Sequence, residues 1–86
     1  MIAAGTVVIS SAGHDCGRAM MVVRIDGDFI FVADGKERKL EKPKKKNQKH
    51  VRLTNRAINP EELTDRKLRR TLRELFGQDS ALQESE

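Results

Sequence analysis

Residues 19–32 read Ala19-Met20-Met21-Val22-Val23-Arg24-Ile25-Asp26-Gly27-Asp28-Phe29-Ile30-Phe31-Val32. Two apolar runs flank an Asp-Gly pair. The primed hairpin turns need φ > 0, which Gly adopts without steric cost. The segment is therefore expected to form a β-hairpin, with strands Ala19–Ile25 and Phe29–Val32. Neighbouring side chains on a strand face opposite ways, so one of Met20 and Met21 is expected in the core and the other partly exposed. Upstream, Gly5 precedes Thr6-Val7-Val8-Ile9, a short β-branched strand, and a polar turn follows from Ser10 to Arg18. Downstream, Asp34-Gly35 repeats the hairpin signal. Lys36–Glu41 is expected as a polar strand whose only apolar residue is Leu40. The basic loop 42–49 follows, and Val51-Arg52-Leu53-Thr54 alternates with period two as a last strand. Short strands and tight glycine turns point to a mainly β fold, a small barrel of about five strands.

The C-terminal third changes period. Thr64 suits an N-cap, Asp65 favours the positive end of a helix dipole, and Leu63 with Leu68 is placed as a hydrophobic staple. Leu68, Leu72, Leu75 and Phe76 share one helical face, and Arg66, Arg69, Arg70 and Arg73 the other. Asn59-Pro60-Glu61-Glu62 is compatible with an earlier helical turn, and Gly77 with a C-terminal stop. The expected organisation is a barrel over 1–56, a helical extension over 57–77 and a disordered tail over 78–86.

The net charge is +4, but it is unevenly placed. Ten basic residues against Glu37 and Glu41 give residues 36–56 a local charge of +8, while the segments on either side carry −2 each. Such concentration in a short chain points to a polyanionic partner, nucleic acid before membrane. Cys16 is the single cysteine, so no internal disulfide forms. No run is long enough to span a bilayer, and no basic residue precedes the apolar N-terminal stretch as a secretory signal requires. A reducing, cytoplasmic location is expected. His14, Cys16 and His50 lack paired metal-ligand spacing, and nothing orients a His–Cys pair for catalysis. Neither a metal, a cofactor nor an enzymatic activity is expected.

The stretch from Gly5 to Arg18 runs from a strand into the turn Gly13-His14-Asp15-Cys16-Gly17-Arg18 and on to the apolar strand. This resembles the KOW motif of ribosomal proteins and NusG-type elongation factors. Gly17 matches the family's glycine and Arg18 the basic residue beside it, while Cys16 stands where a basic residue is common. The string from Ala33-Asp34-Gly35-Lys36 through Pro43-Lys44-Lys45-Lys46-Asn47 to His50 is similar to small stand-alone bacterial KOW-domain proteins. Those are described as RNA-binding and related to large-subunit ribosomal proteins of archaea and eukaryotes. The resemblance covers roughly residues 3–54, a span of single-domain proportions for a barrel. It implies an SH3-like barrel and structured RNA, ribosomal RNA first, as partner. KOW barrels of elongation factors also act as protein adaptors. A ribosomal or transcription–translation protein docked on the helix stripe or a barrel edge is therefore the alternative.

The residue chemistry points the same way. Lys44, Lys45, Lys46 and Lys49 are expected on phosphates, and Asn47, Gln48 and His50 on 2′-hydroxyls or base edges. Arg18, Lys36, Arg38, Lys39, Lys42 and Arg52 complete the candidate RNA-binding set. Arg18 has Asp15 as a competing surface partner, a pairing of little energetic weight. Phe29, Phe31 and Phe76 lie in apolar contexts and are expected in the core. With no Trp or Tyr present, few aromatics remain to stack bases, which favours recognition of folded RNA by shape and phosphate.

Overall fold

The hairpin anticipated from residues 19–32 forms. The structure, a computed structural model, describes residues 2–13 and 16–76. Its elements are β1 (Thr6–Ser10), β2 (Ala19–Asp26), β3 (Phe29–Ala33), β4 (Lys44–Asn47), a 3-10 turn (Gln48–His50), β5 (Val51–Ala57) and α1 (Asp65–Phe76). The strands make one open antiparallel sheet in the order β4-β3-β2-β1-β5. The fold is mainly β and compatible with a small SH3-like barrel. Asp26 pairs with Phe29, leaving Gly27 and Asp28 as the turn, and Gly27 has φ 62°. Glycine at the first central position is the arrangement of a II′ turn. His14, Asp15, Gly77 and the tail 78–86 lie outside the described residues, and with them the Asp15 pairing and the helix stop.

Both faces of the sheet centre are buried. Val8, Met20, Val22, Ile30 and Val32 cluster on one face, with Ile2 and Val51 against them. On the other, Val7, Ala19, Met21 and Ala33 cluster with Leu68 and Leu72 of α1. Met20 and Met21 are therefore both fully buried, against the expectation that one would be partly exposed. The helix supplies the cover that a lone sheet lacks. Leu63 and Phe76 also pack on this second cluster, so Leu68, Leu72 and Phe76 of the apolar helix stripe are spent on the core, and Leu75 is half-buried. Thr64 caps α1 as anticipated, its Oγ1 accepting from Lys67 N at 3.1 Å. The Asn59–Glu62 stretch is a turn and not the start of a helix, because Glu62 takes a left-handed φ of 56°.

A bulge interrupts β2 between Val22 and Arg24. Strict alternation would put Arg24 on the face of Met20 and Val22, inside the core. With the extra residue, Val22 opposes Val32 and Ile25 opposes Ile30, while Arg24 comes to oppose Phe31 on the other face.

The polar strand expected over Lys36–Glu41 does not form. The Asp34 carboxylate draws the amides of Lys36 and Arg38 into a turn, both at 2.9 Å, and Asp65 Oδ1 takes the Leu40 amide at 2.7 Å. The fourth strand falls instead on Lys44–Asn47, inside the segment expected as a basic loop. Gly35 lies under the first turn of α1 with φ 80°, and a Cβ there would overlap the Asp65 carbonyl oxygen. At Gly27 an added Cβ meets nothing within 4 Å. Gly35→Ala is expected to lower the melting temperature well beyond the shift from Gly27→Ala, for which the left-handed conformation alone costs roughly 1–2 kcal/mol. Equal shifts in thermal denaturation would show that the helix does not rest on Gly35.

Candidate nucleic-acid interface

Basic residues enter the surface from three settings. The first is the loop between β3 and β4, organised around Asp34. Its side chain is 1% exposed, and Oδ2 accepts from Arg18 Nη1 at 3.2 Å while Oδ1 takes the two loop amides. A buried carboxylate is tolerable only when its acceptor capacity is met in this way. Arg18, 29% exposed, thus ties the turn before β2 to the loop after β3. From this loop Lys36, Lys39 and Lys42 reach solvent, and Arg38 is half-buried.

The second setting is β4. Its register places Lys44 opposite Val32, Lys45 opposite Phe31, Lys46 opposite Ile30 and Asn47 opposite Phe29. Alternation divides three consecutive lysines between the two faces. Lys46 turns to the Ile30 side, is 8% exposed, and donates from Nζ to the Ala12 carbonyl at 3.3 Å. It fastens the sheet edge to the turn after β1 and has little reach toward an outside phosphate. Lys45 is exposed on the opposite face, its Nζ 4.5 Å from the Phe29 ring centroid. Lys44 is half-buried.

The third setting is the corner between β4 and β5. Asn47 Oδ1 accepts from Lys49 N at 2.9 Å, shaping the 3-10 turn. Gln48 binds the hairpin tip through N to Asp28 O (3.0 Å) and Nε2 to Gly27 O (2.9 Å). Asn47 and Gln48, anticipated as RNA contacts, are therefore both engaged by the fold. Lys49, His50 and Arg52 stay exposed, and Arg52 lines a shallow cleft with Ile9, Ser10, Ser11, Cys16 and Gly17. Among the described residues no group of His, Cys, Asp and Glu gathers as a metal-holding set.

Two of the three phenylalanines expected in the core are elsewhere. Phe29 is 37% exposed, and Phe31 is half-buried with the Arg24 guanidinium 3.9 Å above its ring centroid. Sequence reading missed Arg24, Phe29 and Phe31 as surface residues. The alternation of Phe29, Phe31 and Ala33 was a signal that they share a face, but not that the helix would cover only one end of it. In the comparisons with known proteins, no family model and no curated protein matches the chain.

Removing Asp34 strands two loop amides and the Arg18 charge. Asp34→Ala is expected to cost about 2–3 kcal/mol in urea denaturation. Lys46→Ala should cost about 1 kcal/mol and Lys45→Ala under about 0.5 kcal/mol, because Lys46, unlike Lys45, is buried and bonds across to the turn after β1. The reverse ranking would place Lys45, not Lys46, in the structural role.

Proposed function

We propose that this chain is an RNA-binding module of the KOW type that docks on structured RNA, ribosomal RNA being the leading target. The observation that carries the reading is the exposure of Lys36, Lys39, Lys42, Lys45, Lys49, Arg52 and Arg56 within a stretch of local charge +8. They emerge from β4, β5, the corner between them and a loop pinned by Asp34 and Asp65, so little ordering is needed before phosphates are met. Arg66, Arg69 and Arg70 extend exposed positive charge along α1. Binding acts by counterion release and shape fit, with no chemical step. A reducing, cytoplasmic setting suits the exposed Cys16.

The test is the salt dependence of binding to a purified ribosomal RNA fragment, beside co-sedimentation with ribosomal subunits. Four or five phosphate contacts give a log–log slope near roughly −4, and each lost contact flattens it by about one. Lys39→Gln and Lys49→Gln should each flatten the slope and weaken binding on every RNA. Lys46→Met should leave the slope unchanged. Salt-insensitive binding, or none, would falsify the reading.

One observation favours a protein adaptor instead. Leu53 is 51% exposed on β5, an outer strand of the sheet. Crosslinking to a protein partner that Leu53→Arg abolishes and the lysine variants spare would support that alternative. The helix stripe offers less, since Leu68 and Leu72 are fully buried and Phe76 packs on the core, with Leu75 half-buried beside them.

A further inference from the structure

Phe29 and Phe31 project on the same sheet face as Ala33. The cluster beneath α1 takes in Ala33 and Met21, and beyond it Phe29 is left 37% exposed. Across three strands the pairing forms two rows, Arg24–Phe31–Lys45 and Asp26–Phe29–Asn47. Cations lie on both rings, Arg24 Cζ at 3.9 Å from the Phe31 centroid and Lys45 Nζ at 4.5 Å from that of Phe29. The bulge in β2 creates this face, because without it Arg24 would point into the core.

We propose that this face is a stacking platform for unpaired bases of RNA. It rests on the RNA-binding reading above and names the part of a folded RNA that it takes. Phe29 carries one base. The Phe31 ring with the Arg24 guanidinium, itself a flat cationic surface, carries its neighbour. Lys45 leaves the Phe29 ring for the adjoining phosphate, an exchange that gives up only a weak exposed cation–π contact. The two cations complement phosphate, and the two rings complement base faces. A duplex keeps its base faces stacked inside, so the platform selects loops, bulges or ends.

The neighbourhood also sets direction. Asp26 is opposite Phe29, and Asp28 is in the hairpin turn. Their charge repels phosphate, so the RNA backbone runs on the Lys45 side. Asp26 is left as an acceptor for a base amino group. The Gln48 bonds to Gly27 and Asp28 brace the hairpin, so the platform is formed before RNA arrives.

The experiment uses two RNAs of equal phosphate number, a blunt duplex and a correspondingly shorter stem that carries an unpaired bulge. The chain has no tryptophan, so Phe29→Trp gives a reporter at the site. The bulged RNA should quench that fluorescence and the duplex should not. Phe29→Leu should weaken the bulged RNA about tenfold and change duplex affinity by less than about twofold. Equal losses on both RNAs, or no loss and no quenching, overturn the platform while leaving electrostatic docking intact. Failure of the native chain to bind either RNA overturns both readings. If Phe29→Leu proves unstable in urea denaturation, quenching of Phe29→Trp decides alone.

Discussion

Strand β2 must be covered on both sides, and the rest of the fold follows from that constraint. Ala19, Met20, Met21 and Val22 are all buried, alternating between two clusters. One face is closed by Val8, Ile30, Val32, Ile2 and Val51. The other needs α1. The helix can approach because Ala19, Ala33 and Gly35 offer no bulk where it lands. Asp65 then joins the first turn of the helix to the Leu40 amide. Without that docking, Met21 and Val7 would face water, an exposure costly for so small a core.

The same architecture governs where charge can be used. An open sheet has two unpaired edges, which invite pairing with another chain. On β4 the edge is only four residues long and carries three lysines, one of them turned inward at Lys46. Charge and brevity guard that edge. Lys46 therefore answers a structural demand, and the lysines left for a partner are those the alternation turns outward or the loops carry.

In the proposed RNA-binding role, the basic surface and the phenylalanine face are complementary in what each would recognise. Loop lysines meet phosphate at any sequence and set affinity. Aromatic rings meet only bases freed from a stack. Under that proposal, their joint presence on one small module directs docking to an irregular element of a folded RNA rather than along a helix. The bulge in β2 is the local feature that brings the two chemistries together.

The β2–β3 hairpin, the first and last strands and the helix with its Thr64 cap were all legible in the sequence. Their signals are local: a glycine turn, period-two or period-3.6 alternation, a capping side chain. Segment 36–49 was misread because the partners that shape it are remote. Asp34 and Asp65 claim the amides of residues 36, 38 and 40, and the Lys44–Asn47 strand exists only because β3 pairs with it. Met20 needed the sheet and Met21 the helix before both were buried. Composition alone determined that a local charge of +8 must meet solvent or a polyanion. Which cations remain outside, and that Phe29 and Phe31 join them, was decided by tertiary structure. Strand register and one bulge set the face of each side chain, and neither is encoded within the reach of a single turn.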